Sequence, residues 1–146
     1  IHRAEAERYR RRIRAAINQA QRNRRPGLPT NGAGLTRQQV RILRWLKSRD
    51  GDVRRHEAAH YRTGRPYTAL PVFDFVAGPD GRRYAISGHV TFRLPKNIGT
   101  GGNGLQILRR LRTAALAPRR PSARDREVAQ ALAVAIRQRR NRRVAR

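Results

Sequence analysis

The sequence predicts a small α+β domain, and three observations predict it. Apolar residues recur at helical spacing along most of the chain. Between residues 72 and 92 that period gives way to strand-like runs on either side of a Gly-Pro-Asp-Gly turn. With 146 residues and 38% apolar content, the chain can form one ordinary domain with a small core. The expected arrangement is a helix carrying His56-Glu57-Ala58-Ala59-His60, a β-hairpin behind it, flanking helices and a basic helical N-terminal arm. Residues 1–34 are assigned to the arm and its linker, 35–136 to the domain and 137–146 to an arginine-rich tail.

Residues 2–25 read as a basic amphipathic helix. Tyr9, Ile13, Ala16, Ile17 and Ala20 form its apolar stripe. Nine arginines and two glutamates give residues 1–34 a net charge of +7. So thin a stripe needs a partner to be stable. Arg25 to Gly34 reads as a linker. Thr36 and Gln39 then form a capping box, with Leu35 and Val40 placed for a hydrophobic staple. The helix so started carries Val40, Leu43, Trp45 and Leu46. Asp50-Gly51-Asp52 interrupts it, so the helix either bends there or gives way to a second one capped by Asp50 or Asp52. The stretch beyond holds the histidine motif and stops near Thr63-Gly64, with Pro66 as a barrier.

Val72 to Val76 and Arg83 to Phe92 read as the two strands of the hairpin, joined by Gly78-Pro79-Asp80-Gly81. Pro95 to Gly104 is a glycine-rich loop without a phosphate-cradling pattern. Leu105, Ile107, Leu108, Leu111 and Ala115 mark a short helix that ends at Ala117-Pro118. Ser122 and Asp125 cap a last helix, whose stripe is Val128, Ala131, Leu132, Ala135 and Ile136. From Arg137 on, the near-pure arginine content predicts fraying or binding to a partner.

Charge is the strongest compositional signal. Thirty-five basic residues against nine acidic ones give +26, and all the basic residues except Lys47 and Lys96 are arginine. Guanidinium forks match phosphate and carboxylate geometry, so a polyanionic partner such as nucleic acid is the natural reading. A GC-rich coding bias explains the arginine-to-lysine ratio but not the scarcity of acids. The absence of cysteine excludes disulfides, thiolate ligands and a cysteine nucleophile. No apolar run is long enough to span a membrane. The expected location is the cytoplasm or the interior of a large assembly.

His56 and His60 stand one helical turn apart on one face, with Glu57 beside them. Zinc takes neutral imidazole or carboxylate ligands and leaves a position for water, whose proton an adjacent carboxylate removes. The plainer reading is two histidines on a helix, and Arg54, Arg55 and Arg62 nearby oppose binding of a dication. A third ligand must come from elsewhere. The only other histidines are His2 and His89. The carboxylates after the motif are Asp74, Asp80, Asp125 and Glu127. Asp80 belongs to its turn and Asp125 to its cap, so His89 on the returning strand is the expected third ligand, with Asp74 second.

Several phrases resemble the bacterial SprA-related family of HExxH metalloprotease-like proteins, from Leu35 to about Ala129. They are Leu35-Thr36, Arg49-Asp50, Val53 to His60, Gly78 to Ala85, Gly88 with Val90, Arg112 to Pro118, Pro121 to Ala123 and Asp125-Arg126. The resemblance implies a small zincin-like domain with a zinc peptidase-like site at His56, Glu57 and His60. It departs from the family where Gly-Gly-Glu-Val is expected and Ser87-Gly88-His89-Val90 stands. If that glutamate is the family's third ligand, His89 is a chemically sensible replacement. The small-residue loop after the motif is also changed, to Arg65-Pro66-Tyr67.

Two functions follow as expectations. In the first, a Zn2+ peptidase acts on a peptide or protein substrate. His56, His60 and His89 hold the metal, Glu57 is the general base, and Tyr61, Tyr67 or Tyr84 stabilises the oxyanion. In the second, an arginine-rich structural or nucleic-acid-binding component of a large assembly carries an inert or structural metal site. Its contacts come from Arg10, Arg11, Arg12, Arg14, Arg139, Arg140, Arg142 and Arg143. A basic membrane-surface protein is a weaker third reading, because the terminal helices have few large apolar anchors.

Overall fold

The structure is a computed structural model that describes residues 2–22, 30–98 and 102–144, excluding the side chains of 2–6, 9, 143 and 144. Its elements run α1 (His2–Arg22), α2 (Arg37–Gly64), β1 (Val72–Ala77), β2 (Arg83–His89), α3 (Gly104–Ala115) and α4 (Ala123–Val144). Helices with one β-hairpin, and the histidine motif inside α2, make up the predicted α+β domain. Among the described residues, no helix is long and apolar enough to cross a membrane. Some expectations fall outside the described residues: the first helix over 23–25, the linker up to Pro29, Tyr9 as a stripe residue and the Arg143 side chain.

The chain divides into two compact units. Residues 1–54 and 73–88 form one, and residues 55–72 and 89–146 the other. In the first, Ile13 and Ile17 of α1 meet Leu46 of α2 and Val76, Tyr84 and Ile86 of the hairpin. The basic arm is therefore part of a core, which answers its need for a partner. Arg10 also bonds to Asp74 on β1, and Asp74 accepts from Ser87 Oγ at 2.8 Å.

The capping box forms as the sequence predicts. Thr36 N–H donates to Gln39 Oε1 at 2.9 Å, and Gln39 N–H to Thr36 Oγ1 at 3.3 Å. Beyond it, α2 runs unbroken through Gly51, so Asp50 begins no second helix. Asp50 bonds elsewhere instead. It accepts from Arg54 Nε one turn on, at 2.9 Å, and from the Ala85 N–H of β2 at 2.8 Å. The tie to the hairpin holds the helix over the glycine. Glycine costs a helix about 1 kcal/mol, and two hydrogen bonds to an ionised carboxylate outweigh that.

In the second unit, α3 and α4 pack through Ile107, Leu108, Leu111 and Leu132, with Tyr67, Phe92, Val128 and Ile136 against them. The returning strand ends at His89, short of the expected Phe92, which pairs instead in an isolated antiparallel bridge with Thr68. Helix α4 continues to Val144, so residues 137–144 of the arginine-rich end are helical.

Candidate metal centre

Three short devices within the second unit bring the site together. The α2 segment presents His56 and His60 one turn apart, with ring centroids at 4.7 Å and planes at 77°. Helix α3 ends at Ala115, before Pro118, and a helix end leaves its last carbonyls without intrahelical partners. The Ala114 carbonyl faces His60 Nδ1 at 2.8 Å. A carbonyl only accepts, so Nδ1 carries a proton, and in the neutral ring Nε2 keeps the lone pair that a metal would take. Helix α4 then starts on Ser122. Asp125 N–H donates to Ser122 Oγ at 3.1 Å, and Ser122 N–H donates to Asp125 Oδ2 at 2.6 Å.

The Asp125 carboxylate also reaches both histidines. His56 Nε2 lies 3.2 Å from Oδ2, and His60 Nε2 lies 3.2 Å from Oδ1. The two Nε2 atoms are 3.1 Å apart. One donor atom from each of His56, His60 and Asp125 lies within 4.8 Å of the others. Two donors bound to one tetrahedral zinc at 2.0–2.1 Å stand about 3.3 Å apart, so these separations fit such an ion. Two imidazole nitrogens in a set of three favour zinc or a similar transition ion over calcium or magnesium. The residues present fit the metal.

Electrostatics agree with a site that gathers positive charge. Burial pushes the Asp125 carboxyl up, but hydrogen bonds from His56, His60 and Ser122 outweigh it and hold the group far below the ordinary carboxylate range. Asp125 also sits in the first turn of α4, where the helix dipole favours an anion. Burial pulls His60 down, yet the Asp125 bond, the Ala114 carbonyl and the charges of Asp125 and Glu57 raise it overall. Glu57 is only 5% exposed, and its Oε2 has no hydrogen-bond partner among the described residues. Burial raises its pKa against the nearby histidines His56, His60 and His89, with Asp125 adding to the rise.

The arginines that argued against a dication lie elsewhere on the helix. At 3.6 residues per turn, Arg54, Arg55 and Arg62 project from the side opposite His56 and His60, and all three are exposed. Arg54 pairs with Asp50 and lies over the Phe73 and Phe75 rings at 5.3 and 5.7 Å. Arg62 Nε donates back to the Ala58 carbonyl at 3.3 Å.

The remaining expected site residues are placed as follows. His89 is not among the three gathered donors. It is exposed at the end of β2. Asp74 is committed to Arg10 and Ser87. Tyr84 donates its hydroxyl to Asp80 Oδ2 at 2.7 Å, whereas Tyr61 and Tyr67 belong to the same unit as the site. Of the arginines, Arg10 is ion-paired and Arg139 is half-buried, its guanidinium close to Gly104. Arg11, Arg12, Arg14, Arg140 and Arg142 are exposed, and the Arg143 side chain lies outside the described residues.

Asp125 is the residue that sequence reasoning passed over. Its signal was present as Ser122-x-x-Asp125, but it was taken as a cap and nothing more. A carboxylate offers about four acceptor positions, and capping uses one.

The family model of the SprA-related family matches residues 4–143, beyond the 35–129 span of the recognisable phrases. The chain belongs to the SprA-related family. No curated protein and no solved structure matches it. The family match takes in both histidines, Glu57, Ala114 and Asp125, so the whole candidate centre lies inside the family region.

Proposed function

We propose that this SprA-related chain is a zinc-dependent metallopeptidase that hydrolyses a peptide bond of a peptide or protein substrate. The observation that carries the reading is the convergence of His56 Nε2, His60 Nε2 and an Asp125 carboxylate oxygen beside the buried, unpartnered Oε2 of Glu57.

In this reading His56, His60 and Asp125 hold the metal. Zinc, when bound, supplies Lewis acidity toward the carbonyl and a lowered pKa for water. The Ala114 carbonyl fixes the His60 tautomer and ring orientation. Asp125 contributes one negative charge, so two neutral imidazoles and one carboxylate leave a dication with net positive charge to polarise a carbonyl. Ser122 N–H and the α4 dipole hold Asp125 ionised and in place. Glu57 takes the proton from the attacking water and passes it to the leaving amine; its burial raises its basicity for that step. Tyr61 and Tyr67 are the remaining oxyanion donors. His89 is not a ligand in this reading.

The test is hydrolysis of a mixed peptide library by the full chain, followed by mass spectrometry, with zinc and after chelation. Zinc-dependent, chelator-sensitive cleavage supports the proposal. Stoichiometric zinc binding without cleavage of any peptide would reduce the site to a structural metal centre.

A further inference from the structure

A second feature lies in the first unit, and it uses none of the metal-centre residues. A groove of about 460 Å³ runs between α1 and α2, lined by Arg12, Ile13 and Ala16 of α1 and by Arg41, Ile42 and Trp45 of α2. Its size falls within the ~300–1,000 Å³ of ligand-binding clefts. Each helix contributes the same pattern: an arginine, an isoleucine next to it, and a third residue one turn beyond the arginine. Ile13 is buried and Ile42 half-buried in the core below, so the isoleucines make an aliphatic floor. Arg12 and Arg41 are exposed at the rim, and neither pairs with a carboxylate among the described residues. Among the described residues, no acidic side chain lines the groove. Trp45 is 41% exposed, a large apolar surface held at the opening.

We propose that this groove docks an acidic amphipathic helix of a partner protein. A helix laid between two others buries an apolar stripe at i, i+3, i+4 and i+7 in their shared groove. Ile13, Ala16, Ile42 and Trp45 receive that stripe. Arg12 and Arg41 stand on opposite walls, so carboxylates flanking the stripe meet a guanidinium on each side. Charge complementarity selects the acidic partner and excludes basic ones. The floor also separates this partner from nucleic acid. A duplex backbone has no apolar stripe to bury, and a single strand needs several stacking faces where the described lining residues offer one indole.

Trp45 is the sole tryptophan of the chain, so its fluorescence reports this groove. The experiment titrates the full chain with a synthetic peptide that sets leucines in one helical stripe between glutamates. Comparison arms are a scrambled peptide of the same composition and a single-stranded oligonucleotide. The expected result is a saturable blue shift of Trp45 emission with the amphipathic peptide and at least tenfold weaker binding of the scrambled one. Arg12→Glu with Arg41→Glu lowers affinity at least tenfold, and the neutral pair Arg12→Gln with Arg41→Gln lowers it by a smaller factor. Lys47→Glu, an exposed reversal on another face of α2, leaves it within twofold. Circular dichroism confirms that each variant is folded. Equal response to both peptides, equal loss in the Lys47 variant, or a saturable shift with the oligonucleotide alone would overturn the proposal.

Discussion

Asp125 uses one carboxylate for two structures: Oδ2 accepts the Ser122 N–H at 2.6 Å, and Oδ1 faces His60 Nε2 at 3.2 Å. The cap that starts α4 thus aims the third donor at the histidines of α2. Position and charge come from the same local motif.

Asp125 and His89 can therefore be separated by substitution. Asp125→Ala is expected to lower zinc affinity beyond the ~10–100-fold loss typical of outer-shell changes, and to cost about 1 kcal/mol in stability from the lost cap. His89→Ala is expected to keep zinc affinity within a few-fold. Competition against a chromophoric chelator reads the affinity, and urea melts of the metal-free chain read the cap. Retained affinity in the aspartate variant with loss in the histidine variant would reverse the ligand assignment.

Zinc should stabilise the fold, because the donors come from α2 and α4 and meet only in the native state. At one hundred times its dissociation constant, a ligand specific to the native state adds about 2.7 kcal/mol. The melting temperature should rise with zinc, return on chelation and stay unmoved in His60→Ala.

Glu57→Gln keeps the shape of the side chain and removes the base. Peptide hydrolysis should fall by about 10²–10⁴ while zinc binds as in the parent chain. Stopped cleavage with unchanged metal content is the signature; loss of both together would mark Glu57 as structural.

Asp50 carries a pH-dependent part of the stability. Burial pushes its carboxyl up, but Arg54 and the Ala85 N–H outweigh that and lower it below the ordinary 3.8. The bonds to the ionised carboxylate thus stabilise the fold above that value and are lost as pH falls through the folded pKa beneath it. Asp50→Ala should cost about 2 kcal/mol at pH 7, chiefly from the stranded Ala85 N–H. The difference should shrink as the pH falls below 3.8 and through the lowered folded pKa, read by urea unfolding at several pH values.

Gly64 is required for space. A Cβ there would collide with the Thr68 methyl and stand 3.2 Å from Ala114 Cβ. Thr68 is also held by its hydroxyl on the Tyr61 carbonyl at 3.0 Å. Gly64→Ala should destabilise by about 1–3 kcal/mol, and adding Thr68→Ser, which removes the methyl and keeps the hydroxyl, should recover part of that. Thermal melts of the single and double variants read the recovery.

The sequence by itself determined the elements and two of the three gathered donors. Both capping boxes, the hairpin turn, the stripes of α1, α3 and α4, and the one-turn spacing of His56 and His60 are local properties, set by residues within a few positions of one another. Family phrases extended that reading to the SprA-related family. Only the tertiary structure brought Asp125 to the two histidines, because it is 65 positions after His60 and no local rule links them. It also decided that α2 continues through Gly51, since the bond holding it comes from Ala85 on β2. The same holds for the arginines beside the motif. Sequence proximity counted them against a cation, and helical geometry turned them to the opposite face. Local patterns report what neighbouring residues impose on one another; a donor set assembled from two helices is fixed by packing alone.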